Sequence, residues 1–320
     1  MFSTNDPLIE CVPNFSEGRN TKIIDAIASS IRNVAGVKLM HIDIGFDANR
    51  TVYSFAGRPE DVIEAVFQAI KTASELIDMR LHKGEHPRMG ACDVCPLVPL
   101  KNISMDEVVE LSKELGNRLG NIGIPVYLYE YSATDDFRKD LINLRKGEYE
   151  EIKNKLLLEK WKPDFGPATF NERFGMMALG ARNFLLAYNI NLNTKDITIA
   201  KQIAKKIRSL RKEKNGSYES NLLQHVKAIG WVMEEFNCSQ VSTNIKDMDA
   251  SPVIEVFDFV NKMANESGYE TNGSELIGLI PKRALTNTGM TVDEAISYLG
   301  LNALKIFDKR DRIIEYNLGL

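Results

Sequence analysis

The sequence predicts an α+β protein built from two α/β subdomains. Two observations carry this expectation: short apolar runs of strand type alternate with segments of helical period, and the alternation comes as two series that part near residue 180. The length of 320 residues agrees, since roughly 150 residues make a domain and either half is long enough to bury its own core. The expected subdomains are residues 1–180 and 181–320.

Taken in order, Leu8 to Val12 is an apolar run stopped by Pro13, and Val37 to Ile44 is a second that ends at Gly45; both read as strands. Between them Ile23, Ile24, Ile27, Ile31 and Val34 follow a helical period. The Arg50-Thr51 stretch opens another strand, and Glu60 to Met79 carries one long apolar helical face. Cys92 to Leu100 and Ile124 to Tyr131 read as strands around a helix from Met105 to Leu119, with Ser104 as its N-cap. From Tyr131 to Lys160 the pattern is polar and predicts short exposed helices, and the prolines and glycine of Trp161 to Pro167 exclude regular structure there. The second series is a strand at Phe184 to Leu192, a helix at Lys195 to Arg211, strands near Ala228 to Met233 and Gln240 to Ile245, a helix at Pro252 to Asn265 and a run at Glu275 to Ile280. No short-period repeat is present, so any kinship between the halves is structural. The charged stretch Arg211 to Ser217 reads as a solvated helix end and loop.

Forty Lys and Arg against 44 Asp and Glu give a formal charge of −4, which argues against a nucleic-acid binder with a broad basic surface. Four scattered cysteines exclude a secreted disulfide framework. The N-terminus lacks the pattern of a signal peptide and no run approaches the ~18 apolar residues of a membrane span, so the expectation is a cytoplasmic protein without membrane association.

Reactive side chains concentrate in Leu81-His82-Lys83-Gly84-Glu85-His86-Pro87-Arg88-Met89-Gly90, which holds two of four histidines and little apolar content. Such a loop between a helix and a strand suits a functional site, and a solvated connection is the plainer alternative. His82 to His86 spells H-x-x-E-H, but zinc ligation by that pattern needs a helix, and Gly84 and Pro87 oppose one. Cys92 and Cys95 of C-x-x-C should diverge across a strand and read as buried structural thiols. Asn14 to Arg19 joins a strand to a helix, the context for an anion at a helix N-terminus, or simply a turn capped by Ser16 or Asn20. It is not a nucleotide-binding sequence. Asp43, near a strand end in the segment His41 to Thr51, either faces the surface or is buried with a partner, and there it could orient a catalytic histidine. His225 reads as a surface or capping residue, and His41 falls out of phase with the apolar face of its strand.

Taken together, Glu10 to Gly18, Asn49 to Tyr53, His82 to Gly90, Pro125 to Tyr129, Pro163 to Pro167, Val241 to Asn244 and Gly278 to Pro281 resemble, in the same order, the glutamate formimidoyltransferase family, the formiminotransferase domain of formiminotransferase-cyclodeaminase. The resemblance covers nearly the whole chain. It implies transfer of the formimino group of N-formimino-L-glutamate to N5 of tetrahydrofolate, in histidine degradation and one-carbon metabolism. It also implies two subdomains of ferredoxin-like type, a folate tunnel between them, and a homodimer. The family's catalytic histidine falls on His86 rather than His82, and its partner carboxylate on Asp43. Its folate-binding stretch falls on Gly166, Pro167, Ala168, Thr169, Phe170, Asn171, Glu172, Arg173, Phe174 and Gly175, of which Gly166, Pro167, Phe170 and Gly175 match. His41 departs from an acidic residue of animal members, which bears on the hydrogen bonding beside Asp43.

The residue types suit that reaction. An imidazole of ordinary pKa near ~6.5 can take a proton from an attacking amine and give one to a departing amine at neutral pH. The donor's carboxylates need cations, for which Arg50, Arg88 and Arg182 are the candidates. Tetrahydrofolate is expected as co-substrate, with no metal. With the chain stopping at Leu320, the product is expected to pass to a separate cyclodeaminase. A formyl-transferring variant, a different formimino amino acid as donor, and a non-catalytic folate-binding protein are the alternatives.

Overall fold

The computed structural model describes every residue except 1, 4, 47, 214, 215, 234 and 235. Asp47 of the His41 to Thr51 segment, and Lys214 and Asn215 of the charged stretch, therefore lie outside the described residues. Two units are present, residues 1–182 and 183–320.

In the first unit the Leu8 run forms β1 (Leu8–Cys11), continued beyond Pro13 by β2 (Asn14–Phe15), then α1 (Thr21–Arg32), β3 (Val37–Gly45), β4 (Arg50–Gly57), α2 (Pro59–Leu76), β5 (Cys92–Lys101), α3 (Met105–Asn121), β6 (Val126–Leu128), α4 (Leu141–Arg145), α5 (Ile152–Lys155) and β7 (Met177–Ala181). The helix ends follow local chemistry. Asn20 caps α1 through the Lys22 amide, and Ser104 and Glu107 form a capping box on α3. Pairing gives the order β3, β4, β1 with β2, β5, β7, β6, antiparallel except for the parallel pairs β5–β7 and β7–β6. On one face α1, α2 and α3 lay Ile27, Ile31, Val66, Ile70, Leu115 and Leu119 against Ile9, Phe55 and Leu97.

The polar segment after Tyr131 departs from expectation. It is not a solvated run of helices, because Leu144, Ile152 and Trp161 are buried against Met89, Val94 and Tyr127 as a second core. Widely spaced apolar residues in a charged sequence were enough to seat α4 and α5. The expected strand to Tyr131 stops at Leu128, where a 3₁₀ turn at Glu130–Ser132 begins with Glu130 at φ +53°. β7 was not anticipated: as a strand buried along its whole length it shows no alternation, only an apolar run. Its Gly180 lies where a Cβ would stand 2.2 Å from the Tyr129 carbonyl, so backbone approaches backbone there. Cys92 and Cys95 do not diverge. Phe15 pairs with Cys92 while Asn14 pairs with Val94, and this bulge brings both thiols into the helix-side core.

The second unit comprises β8 (Leu186–Leu192), α6 (Ile197–Leu210), α7 (Tyr218–Leu223), β9 (Val226–Met233), β10 (Cys238–Ile245), α8 (Val253–Glu266) and β11 (Thr271–Ile277), followed by α9 (Lys282–Thr286), α10 (Val292–Tyr298), α11 (Lys309–Arg312) and α12 (Ile314–Leu318). Helix α6 starts two residues later than expected because Asp196 accepts the Thr198 amide as its cap. The last strand lies earlier than expected, ending where Gly278 takes φ +76°. The antiparallel sheet runs β11, β8, β10, β9. The first unit as far as β5, with β2 continuing β1, and the second as far as β11, with the short α7 set aside, thus share one connectivity. It runs strand, helix, two strands, helix, strand, with the fourth strand beside the first and the third between first and second; the first sheet is then extended by β7 and β6. No helix of the described residues is long and apolar enough to cross a membrane.

Candidate active site

Three loops of the first unit meet around Asn49. Its φ of +47° is of a kind that asparagine tolerates better than most residues. Its side-chain oxygen accepts the Gly18 amide at 2.9 Å, its amide nitrogen donates to the Lys83 carbonyl at 3.0 Å, and its own carbonyl accepts from His82 Nε2 at 2.8 Å. Gly18 is required here, since a Cβ would lie 2.4 Å from the Gly45 carbonyl. Ser16 ties the same assembly to the far end of the loop, its hydroxyl donating to Gly90 O at 2.8 Å. The segments Asn14 to Gly18, Asn49 to Thr51 and His82 to Gly90 therefore form one framework.

Two further segments back the loop. Gly90 and Gly175 form a bridge, and a Cβ on Gly175 would stand 2.2 Å from Met89 O. Ala91 donates to Phe174 O at 2.7 Å, and Met79 to Arg173 O at 2.9 Å. The stretch Gly166 to Gly175 is accordingly laid against the His82 to Gly90 loop. Within it, the Asn171 side chain accepts from Phe174 N and donates to Gly123 O, and Phe170 packs on Tyr149 with ring centroids 5.5 Å apart. Glu172 O accepts the Tyr149 hydroxyl, and Arg173 donates to the carbonyls of Ser74 and Glu75. Just before this stretch Asp164 accepts from Leu128 N, Thr134 and Arg138, which fixes the entry of the chain.

His82 and His86 are held in opposite ways. His82 is buried, donates from Nε2 to Asn49 and accepts Arg88 Nε at Nδ1, 3.2 Å. Burial lowers its pKa. Arg88 also reaches Glu148 at 3.1 Å, Glu150 at 2.7 and 2.8 Å, and His82 O at 3.4 Å, so all its N–H groups are engaged. It is a strut of the loop and leaves no donor for a substrate carboxylate. His86 is half-buried. Its Nδ1 lies 2.7 Å from Pro87 O, so the ring proton sits on Nδ1, and Arg50 Nη1 lies 2.6 Å from Nε2 and 3.2 Å from Nδ1, against the ring rather than along the Nε2 lone pair. Burial, and the charges of Arg50 and Arg145, hold His86 down to about 3; it is neutral at pH 7. Arg50 is itself pushed down to about 10 by burial and by repulsion from Arg145.

Asp43 lies opposite Val52 on β3, one strand from this cluster. Its charge acts on Arg50, and no hydrogen bond joins it to His86 among the described residues. His41, opposite Ser54, is on the same strand. Arg182 is placed elsewhere, with its charge acting on the buried Glu10. Ala56, opposite Glu10, is roughly 20 Å along β4 from Arg50 at ~3.3 Å per residue. His225 lends its carbonyl to Lys246.

Asp93 and Arg145 were missed. Asp93 occupies the β5 bulge, fully buried, and accepts Met89 N at 2.9 Å and Arg145 Nε at 3.0 Å. The one signal available was a carboxylate inside the apolar run Cys92 to Leu100, which cannot be buried without a partner. The H-x-x-E-H segment is not helical, its two imidazoles are bonded to different arginines, and no group of three or more metal-binding side chains gathers among the described residues. What the site offers is a neutral imidazole with one guanidinium against its ring and the charge of a second acting on it.

Family descriptions match both units: "Formiminotransferase domain, N-terminal subdomain" over residues 8–182 and "Formiminotransferase domain" over residues 187–319. The chain is 40% identical to a glutamate formimidoyltransferase of Streptococcus pyogenes serotype M1, covering 97% of this chain and 98% of that one. Its likeness to a glutamate formimidoyltransferase of Thermoplasma acidophilum is also 40%, over 92% and 93%. It is 45% identical to a formimidoyltransferase-cyclodeaminase of Dictyostelium discoideum over 97% of this chain, and spans 60% of that relative's length.

Proposed function

The chain belongs to the formiminotransferase family, and from that premise we propose that it transfers the formimino group of N-formimino-L-glutamate to N5 of tetrahydrofolate, giving 5-formimino-tetrahydrofolate and L-glutamate. The observation that carries this reading is His86, a neutral imidazole in a braced loop with the Arg50 guanidinium against its ring.

Attack of N5 on the amidine carbon gives a tetrahedral intermediate, and its collapse moves one proton from the attacking nitrogen to the departing glutamate nitrogen. His86 Nε2 takes the first and returns it to the second. It must be uncovered for this. A donor carboxylate engaging Arg50 draws the guanidinium away, and the imidazole regains basicity as the adjacent positive charge is neutralised. Asp43 acts through Arg50, holding its charge from the far side. Arg88 and His82 keep the loop in place. The stretch Gly166 to Gly175, including Pro167, Ala168 and Thr169, is the wall against which the folate lies. The reaction as written needs no metal ion.

In the same reading each unit is ferredoxin-like, on the strength of its strand order, and the protein is a cytoplasmic homodimer whose product goes on to a cyclodeaminase. A donor panel tests the activity: formiminoglutamate, formiminoglycine and N-formylglutamate, each with tetrahydrofolate, followed by donor loss and folate absorbance. Formiminoglutamate should be consumed fastest. Turnover of N-formylglutamate alone would replace the formimino reading with a formyl one.

A further inference from the structure

We propose that Arg145, pinned by Asp93 beside the His86 loop, binds a carboxylate of the amino-acid donor and so sets donor specificity. This rests on the formimino-donor reading above, which leaves open how a donor with two carboxylates is held.

The placement begins with the β5 bulge, which turns Asp93 inward so that one buried acid serves two purposes. One oxygen takes the Met89 amide and fixes the base of the loop; the other takes Nε of Arg145 at 3.0 Å, and its Nη2. The chain after Arg145 is fastened to the same loop, with Tyr149 N donating to Arg88 O at 2.9 Å and Arg88 N to Glu148 at 3.3 Å. Arg145 is thus set relative to His86 from both sides. Its Nε and Nη2 edge is taken by Asp93, while Nη1 makes no hydrogen bond among the described residues and the side chain keeps one-fifth of its surface open.

The electrostatics place the same two arginines together at His86. Arg50 and Arg145 repel each other and both act on His86, with Asp93 engaged on one side and Asp43 a strand away. Asp93 and Asp43 match the two cations in number, but Asp93 covers only the Nε and Nη2 edge of Arg145 and leaves Nη1 for a ligand carboxylate. Of the other candidate arginines, Arg88 has no N–H to spare and Arg182 sits with Glu10. A planar guanidinium held along one edge presents the remaining N–H groups in a fixed direction, the geometry a carboxylate is recognised by.

The test uses Arg145→Lys, which keeps the charge and loses the fork, and the double variant Asp93→Asn with Arg145→Met. In the double variant the new side-chain amide keeps an acceptor for the Met89 N–H, and no buried charge is left alone. Calorimetric binding of L-glutamate to the full chain should weaken by roughly 10–100-fold in both variants. Binding of 5-formyl-tetrahydrofolate should stay unchanged, and the donor KM should rise more than kcat falls. Unchanged glutamate binding in both variants overturns the proposal; so does a loss that appears in folate binding instead, which would give Arg145 to the folate tail. Turnover of formiminoglutamate by the unaltered enzyme separates the two readings. If it turns over and the variants bind glutamate normally, Arg145 alone is wrong; if it does not, while Arg145 proves necessary for glutamate, the carboxylate site stands and the transfer reaction falls.

Discussion

His82 and His86 share one loop, and the difference between them lies in what each ring nitrogen has to do. Both nitrogens of His82 are occupied by the framework, one on Asn49 and one on Arg88. His86 has Nδ1 on its own loop, while Nε2 meets only the Arg50 guanidinium among the described residues. His86→Ala should therefore lower kcat by roughly 10²–10⁴-fold with folate affinity intact. His82→Ala should lose thermal stability first and turnover less; the reverse ranking by steady-state kinetics would give the proton transfer to His82. A second expectation concerns Arg50. It is the largest charged contribution to the low pKa of His86, after burial. In Arg50→Met, the His86 resonance followed by NMR in the ligand-free protein should titrate higher than in the unaltered chain, though still below the usual histidine value because burial persists. An unmoved midpoint would mean that Arg50 does not mask the imidazole. At this scale the sequence made the loop conspicuous through composition alone. It did not reveal Asp93, because a carboxylate flanked by Cys92 and Val94 looks like any strand residue until the bulge and a partner 52 residues away are known.

The elements around the site are joined by close backbone crossings as well as by side chains, and glycine recurs where backbone meets backbone. Gly175 takes φ +82° with Met89 O where a Cβ would go, and Gly90 faces the Phe174 and Met176 carbonyls in the same way. An alanine at 175 has to adopt a left-handed backbone and displace the loop as well. Gly175→Ala should cost about 2 kcal/mol or more and lower the melting temperature of the first unit by roughly 4–8 °C in calorimetry. Melting like the unaltered chain would show that the two segments are free to separate. The helices were legible because caps and apolar periods are local: Ser104 and Glu107 announce α3 from four adjacent residues. β7 was not, because its partners β5 and β6 lie far back in the chain and a fully buried strand carries no alternation to read. The segment from Tyr131 to Lys160 misled for the opposite reason, its few core residues being outnumbered by charges on the outward side.

Across the molecule, the four-strand order of the second unit recurs within the larger sheet of the first without an evident sequence repeat, since connectivity is set by where apolar runs and turns fall rather than by which residues fill them. The stretch Gly166 to Gly175 and the His82 to Gly90 loop both belong to the first unit, so protection of those two segments by folate would test that unit alone. In the first unit the buried Glu10 and the half-buried His86 have opposed effects on stability. Glu10, buried on β1, has its carboxyl pushed up to about 7, chiefly by burial and held back by the charge of Arg182. Above the ordinary glutamate value of 4.5 the unfolded chain has lost a proton that the folded chain keeps, so this group's contribution falls as pH rises from 4.5 to 7, by about 3 kcal/mol at most. His86, held down to about 3, does the opposite: below 6.5 the unfolded chain gains a proton that the folded chain refuses, and stability falls as pH drops from 6.5 towards 3. Glu10→Gln removes only the first effect. Relative to the unaltered protein, the variant should show no gain in melting temperature from this source near pH 4.5, a growing gain up to pH 7, and a constant one beyond. The variant's own curve should then rise with pH to about 6.5, as the His86 effect acts unopposed. A difference between the two proteins that stays the same from pH 4.5 to 8 would mean that Glu10 is ionised in the folded state across that range, with Arg182 balancing its charge.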